Sequence, residues 1–123
     1  MTVRDAKGAS PPASAGDDAR ALYDELTDDL LYDPAVGRAT MMGYPCVRLA
    51  GRFVASYDAK LAGLVMKLPR ERVRQLVEDG TGEPFAPAGK IFGEWVAIPA
   101  VDRDLWRTLL AEAVDFARKS LAE

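Results

Sequence analysis

Apolar residues recur at helical spacing in three segments of the chain. In the C-terminal segment they lie three or four positions apart, at Trp106, Leu109, Leu110, Ala113, Phe116 and Ala117. A second stripe contains Leu22, Tyr23, Leu26 and Leu30, and a shorter one contains Val73, Leu76 and Val77. This spacing places apolar side chains on one face and predicts three amphipathic helices. We expect Asp17 or Asp18 to cap the first helix, Pro69 to begin the second and Asp102 to cap the third.

Between these segments, short runs rich in β-branched and aromatic residues predict four strands. The runs span residues 47–49, 52–57, 61–68 and 92–98. Ala50 and Gly51 separate the first two runs, and a two-residue turn containing glycine is typical of a β-hairpin. Gly63 is expected to weaken the third strand or to mark a bulge. The resulting order of elements, α-β-β-β-α-β-α, predicts an α+β fold.

Residues 1–16 differ in composition from the rest of the chain. They are rich in Ala, Gly, Ser and Pro and contain one valine and no aromatic residue. Such a segment buries too little apolar surface to offset the entropy of ordering. We therefore expect a disordered tail over residues 1–16, followed by one domain over residues 17–123.

Three further features indicate a cytoplasmic protein. The N-terminus does not have the pattern of a secretory signal, and no run of about 18 apolar residues is present. Cys46 is the single cysteine, which agrees with a reducing compartment. Since Cys46 follows a proline in an apolar context, we expect it to be an inert packing residue.

The composition excludes several kinds of catalytic site. The chain contains no histidine, so Ser-His-Asp and Cys-His nucleophile systems and His-based zinc sites are excluded. One cysteine cannot build a thiolate metal site or an Fe–S cluster within a single chain. The segment 80–84 is glycine-containing but matches no phosphate-binding loop, and a helix stop plus a turn explains it. We therefore expect no catalytic residues, no metal and no cofactor.

The charged residues are divided into an acidic and a basic block. Residues 17–33 hold seven acids and one base, whereas residues 38–74 hold eight bases and two acids. One interpretation is that the two blocks neutralise each other in the fold or are solvated. The other is that the basic block forms a face for an anionic ligand or nucleic acid. Arg70, Arg72 and Arg74 crowd the start of a helix, where the macrodipole disfavours cations. Pairing with the acidic first helix is the favoured explanation, and a partner or anion site is the alternative. With a net charge of −3, we expect no specific nucleic-acid binding.

The segment Met41–Pro45 is an apolar connector between the first helix and the sheet. Core packing is one interpretation, and a flexible methionine-rich lining of a pocket is the other. On the second interpretation, ligand or partner contacts are expected from Met42, Gly43, Tyr44, Lys67, Lys90 and Trp95.

The chain resembles the N-terminal domain of the TfoX/Sxy family over about residues 20–120. Met41–Tyr44 is similar to a Met-Phe-Gly-Gly-type motif after the first helix, and a hairpin around a glycine follows in Arg48–Phe53. Val65–Leu68 ends in a lysine and an apolar residue, and Trp95–Pro99 is an aromatic-containing strand. Gly82–Phe85 is similar to a Gly-x-x-Pro-Phe motif, with one residue fewer between the glycine and the proline. The YjbR-like family has a similar layout.

The resemblance implies an α+β fold like that of secretion chaperones, with helices flanking an antiparallel sheet, and it supplies no catalytic residues. Longer family members carry a C-terminal domain and are linked to competence for DNA uptake; this sequence ends at Glu123 without such a domain. The leading hypothesis is a non-enzymatic regulatory or protein-interaction module, as a monomer or homodimer without a membrane partner. The alternative is a small-ligand-binding domain with a pocket near the Met41–Tyr44 connector and the sheet.

Overall fold

The computed structural model describes residues 12–41, 43–86, 89 and 93–121. Within these ranges the elements, in chain order, are α1 (Pro12–Leu30), β1 (Val36–Met41), β2 (Tyr44–Leu49), β3 (Arg52–Asp58), β4 (Gly63–Lys67), α2 (Arg70–Glu78), β5 (Glu83–Pro84), β6 (Trp95–Ile98) and α3 (Arg103–Leu121). The strands form one antiparallel sheet in the order β1-β2-β3-β4-β6-β5. The predicted α+β fold with an antiparallel sheet and flanking helices is thereby confirmed.

The hydrophobic core lies between the sheet and the helices α1 and α3. The apolar stripe of α3 is buried at Trp106, Leu109, Leu110, Ala113 and Ala117, whereas Phe116, the sixth residue of the predicted stripe, is half-buried. These side chains share one core with Leu64 and Met66 of β4 and with Tyr23 of α1. The predicted cap of α3 is also confirmed, because the Asp102 carboxylate accepts a hydrogen bond of 3.0 Å from the Leu105 N–H.

Helix α1 begins before the predicted caps at Asp17 and Asp18. It starts at Pro12, and residues 13–16 form part of its first turns. Proline is favoured in the first helical turn because its missing N–H would have no helical partner there, and alanine has the highest helix propensity. Residues 12–16 of the predicted tail therefore belong to a helix, while residues 1–11 lie outside the described residues.

Two strands, β1 and β5, form where the sequence pattern predicts none. Strand β1 contains Gly37 and Ala39, which have low strand propensity, and half of its residues are exposed. It becomes a strand because it pairs with β2 along its whole length, from Val36–Leu49 to Met41–Tyr44. Met41 therefore ends β1, and Tyr44 and Pro45 begin β2, so this part of the chain belongs to the β1–β2 hairpin and not to a connector between helix and sheet.

The predicted β2–β3 hairpin is confirmed, and it contains an irregularity that alternation does not predict. Ala50 and Gly51 form the turn, with φ angles of 49° and 85°, as a two-residue hairpin turn requires. The register then shifts, so that Val47 pairs with Ala55 but the next residue of β2 pairs with Phe53. This bulge places Phe53 on the opposite face from Ala55, whereas simple alternation would place them on the same face.

Two acids of the acidic block pair with α3, and among the described residues none pairs with the basic helix α2. Glu25 binds Arg103, and Asp33 binds Arg118, each through a side-chain hydrogen bond. Of the basic block, Arg38 reaches Asp28 of α1. The expectation that the arginines of α2 pair with α1 is wrong, because α2 lies next to α3 and to the β5–β6 edge of the sheet.

The arginines of α2 find other partners. Arg72 donates two hydrogen bonds to the Glu112 carboxylate of α3, at 2.9 and 3.3 Å. Arg74 lies 3.0 Å from the carboxylate of Glu71, one turn earlier in α2. These exposed or half-exposed pairs contribute little stability each. Because of these pairs, however, two of the three α2 guanidinium groups that an anion site would use already have a carboxylate partner.

Candidate ligand-binding site

Three neighbouring strands place small side chains side by side on one face of the sheet. Ser56 of β3 pairs with Val65 of β4, and Val65 pairs with Ala97 of β6. Their sequence neighbours Leu64 and Met66 belong to the helical core. Since side chains alternate across a strand, this row lies on the face opposite α1 and α3.

An open cavity of about 700 Å³ lies over this row. Met41 and Tyr44 of the β1–β2 hairpin, Leu61 of the β3–β4 turn and Phe85 after β5 also line it. Its size is within the range of small-molecule sites, about 300–1,000 Å³. The cavity is therefore formed by the small residues of three strands as a floor and by larger apolar residues as walls.

Gly63 makes the strand arrangement at this cavity sterically feasible. A Cβ atom at this position would lie 2.6 Å from the main-chain oxygen of Ile98, a distance at which the two strands would have to move apart. The pairing here is regular, with Asp58 opposite Gly63 and Leu64 opposite Ile98. The predicted bulge at Gly63 is therefore wrong, and the glycine is needed for close approach.

Ser56 provides a polar group on the floor of this cavity. The residue is 6% exposed, and among the described residues its hydroxyl has no hydrogen-bond partner. The neighbouring floor residues Val65 and Ala97 are 2% and 3% exposed and have no polar side-chain atoms. The hydroxyl opens onto the cavity, where a hydrogen-bonding group of a ligand could bind it in place of water.

The rim of the cavity carries three charged residues. Asp58 and Lys60 lie at the β3–β4 turn, and Glu83 lies in β5. The Asp58 carboxylate is held in place because it accepts hydrogen bonds from the main-chain N–H groups of Lys60 and Leu61, at 2.9 and 3.3 Å. Lys60 and Glu83 are exposed. The charges therefore lie at the solvent end of the cavity and not on its floor.

One wall of the cavity belongs to a group of stacked aromatic rings. Phe85 stacks on Trp95, with ring centroids 5.5 Å apart and an interplanar angle of 20°. Trp95 stacks in turn on Phe53, with centroids 4.2 Å apart and an angle of 19°. The bulge in β3 is what brings Phe53 to this face. The stack restrains the Phe85 wall, since each ring packs against the next.

The structure brings only some of the predicted site residues to the cavity. Tyr44 lines it and is 37% exposed. Gly43 lies in the β1–β2 turn with φ +86° and is exposed. Met42 and Lys90 lie outside the described residues.

Lys67 and Trp95 lie beside the cavity but do not line it. The Lys67 ammonium is 4.0 Å from the Glu94 carboxylate, and Lys67 lines a separate cavity of about 240 Å³. Trp95 stacks on Phe85, which lines the cavity. Their role as ligand or partner contacts stays a prediction from sequence.

Sequence reasoning missed Ser56, Val65, Ala97, Leu61 and Phe85. Serine, valine and alanine within strands carry no chemical signal on their own. A signal was available for Phe85 alone, because it ends the Gly82–Phe85 segment that resembles a family motif.

Cys46 and Tyr23 are buried side chains that lie outside this cavity. Cys46 is 1% exposed, in agreement with a packing role. The hydroxyl of Tyr23 is buried without a partner among the described residues, and burial raises the pKa of Tyr23 far above its usual range. Its ring centroid lies 5.9 Å from that of Tyr57 within the core, so Tyr23 is a neutral core residue.

Within the described ranges, no group of three or more metal-binding side chains is present, and none of the helices has the length and hydropathy needed to cross a bilayer. No family model, no curated protein and no solved structure matches this chain. The resemblance to the TfoX/Sxy family therefore stays a prediction from sequence.

Proposed function

We propose that this chain is a non-enzymatic binding module whose small, largely apolar ligand occupies the cavity over Ser56, Val65 and Ala97. The observation that carries the proposal is a cavity of about 700 Å³ with apolar and aromatic walls, one serine hydroxyl on its floor and its charged residues at the rim. This composition is typical of small-molecule sites, in which apolar contact supplies affinity and a few polar groups supply orientation.

The chemistry of the cavity supports binding and not catalysis. Ser56 has no base within hydrogen-bonding distance among the described residues, and the whole chain contains no histidine. A serine hydroxyl is a weak nucleophile unless a neighbouring base activates it. The carboxylate of Asp58 is engaged by two main-chain N–H groups, which favours a structural role for it in the turn.

The second candidate is a cytoplasmic regulatory module of the TfoX N-terminal type that binds a protein partner. The observation in its favour is that helices on one face of an antiparallel sheet are the arrangement that the sequence resemblance implies. The two candidates are compatible, because a ligand in the cavity would change the surface that a partner meets. They differ in what the isolated chain binds, which is a small molecule for the first candidate and a protein partner for the second.

A fragment titration tests the first candidate. We expect small aromatic fragments to shift the amide resonances of Ser56, Val65 and Ala97 in the wild-type chain. Tyr44→Ala removes an aromatic wall and is expected to weaken binding by about tenfold. Tyr32→Ala is the matched control, because Tyr32 is 89% exposed at the end of α1 and does not line the cavity.

Two results would contradict the proposal. The first is the absence of binding across a library of fragments at millimolar concentration. The second is an equal loss of affinity in Tyr44→Ala and Tyr32→Ala, which would place the binding surface elsewhere. Binding of a protein partner by the wild-type chain, together with no fragment binding, would favour the regulatory module.

A further inference from the structure

We propose that Ser56 selects the ligand, and that the end of the ligand buried in the cavity is an aromatic ring bearing one uncharged hydrogen-bonding group, as in a phenol. This inference rests on the proposed function, because it names the class of molecule that the cavity accepts. It follows from three features of the site: the isolated hydroxyl, the aromatic walls and the position of the charges.

The hydroxyl of Ser56 is the hydrogen-bonding side-chain group in the row of Ser56, Val65 and Ala97 that forms the floor. Ser56 is 94% buried, and none of the described residues supplies a partner for its oxygen. It lies in the centre of the sheet, between the strands β2 and β4 that pair with β3. Since the flanking Val65 and Ala97 side chains are apolar, a second polar group on the buried end of the ligand would stay unpaired there, at a cost in affinity.

The walls favour a planar ring. Tyr44 belongs to the β1–β2 hairpin, whereas Phe85 follows β5 at the opposite edge of the sheet, so the cavity has aromatic residues from both sides. The stack of Phe85 on Trp95 and of Trp95 on Phe53 holds one of these walls in place. Aromatic side chains pack best against other rings, in offset-stacked or edge-to-face geometry.

The positions of the charged residues disfavour an ionised group of the ligand at the floor of the cavity but allow one at its rim. A carboxylate or an ammonium beside Ser56 would lose its hydration and gain a single neutral hydrogen bond, which is unfavourable. Asp58, Lys60 and Glu83 lie at the turn and at the edge strand, where solvent is accessible. A charged substituent on the ligand therefore belongs at its outer end.

A matched pair of probes tests the inference on the intact chain. 2-Naphthol and 2-methylnaphthalene have the same ring system and differ in one hydroxyl group against one methyl group. We expect the wild-type chain to bind 2-naphthol about tenfold more tightly, since one hydrogen bond to a nearly buried group contributes about that factor. Ser56→Ala is expected to remove this preference, whereas Ser120→Ala on α3 is expected to retain it. Binding is measured from amide chemical shifts.

The outcomes separate this inference from the proposed function. Equal affinity of the wild-type chain for both probes would overturn the inference and leave the cavity as a binding site. A preference for 2-naphthol that survives in Ser56→Ala would overturn the role of Ser56, and tighter binding of 2-naphthoate than of 2-naphthol would overturn the uncharged class. Binding of neither probe would overturn the inference, and the fragment library would still decide the proposed function. Because the wild-type comparison needs no variant, the test does not depend on the folding of Ser56→Ala.

Discussion

Trp106 is the largest side chain that the described part of the chain buries completely, with 0% exposure. It lies on the apolar face of α3, and its indole N–H donates a hydrogen bond of 2.8 Å to the main-chain oxygen of Ala100. Trp106→Ala removes the ring and this hydrogen bond together. Trp106→Phe removes the hydrogen bond but keeps an aromatic ring in the core.

The expected cost of Trp106→Ala follows from these contacts. A buried tryptophan withdraws about 150–250 Å² from water, which corresponds to about 4–6 kcal/mol. Large-to-small core substitutions of this kind cost about 3–5 kcal/mol in practice, and an unpaired carbonyl oxygen adds about 1 kcal/mol. We therefore expect a loss of at least about 4 kcal/mol for Trp106→Ala and of about 1–2 kcal/mol for Trp106→Phe. Since small domains are stable by about 5–15 kcal/mol, the alanine variant is expected to be close to unfolding.

Urea denaturation followed by far-UV circular dichroism measures these values, and Trp95 gives a second, fluorescent reporter in both variants. A loss below about 1 kcal/mol in Trp106→Ala would refute the assignment of this ring to the core. Equal losses in the two variants would show that the ring itself contributes nothing. If the alanine variant does not fold, the phenylalanine variant still tests the contribution of the hydrogen bond.

Two further predictions concern the strands and the acid stability. Gly63→Ala is expected to lower the free energy of unfolding by about 1–3 kcal/mol, because its Cβ would lie 2.6 Å from a main-chain oxygen of β6. Gly37→Ala in β1, where nothing lies within 4 Å of the added Cβ, is the control and is expected to change it by less than about 0.5 kcal/mol; equal effects in thermal unfolding would contradict the close approach. The pKa of Asp33 is lowered because its carboxylate accepts hydrogen bonds from the main-chain N–H of Ala35 and from the Arg118 guanidinium. A lowered pKa stabilises the fold above about pH 4, and this contribution is lost as the pH falls through the folded-state pKa. Asp33→Asn is therefore expected to lose less stability than the wild-type chain between about pH 6 and about pH 3 in urea titrations, and identical pH profiles would refute this assignment.

The helices are the part of the fold that the sequence predicts best. The spacing of apolar residues in α3 identifies its buried face, and Asp102 identifies its start, because both signals depend on residues close in sequence. The β2–β3 hairpin is predicted for the same reason, since Ala50 and Gly51 determine the turn. The composition also excludes histidine-based and multi-cysteine chemistry without any structure.

The other elements depend on partners that lie far away in sequence. Strand β1 has weak strand propensity, and it forms because β2 offers a complete row of hydrogen-bonding groups. Alternation along β3 assigns Phe53 to the wrong face, since the bulge inserts an extra residue opposite β2. The partner of Arg72 is Glu112 of α3, because α2 and α3 are neighbours in space and not in sequence.

The candidate site follows the same division. The sequence alone predicts that the Met41–Tyr44 segment could line a pocket, and Tyr44 does line the cavity. Ser56, Val65 and Ala97, by contrast, are unremarkable in their own strands. They become the floor of a site because the register of β3, β4 and β6 aligns them, and because the helices cover the opposite face. A strand's sequence specifies which residues alternate, but only the pairing of strands decides which residues from different strands lie side by side.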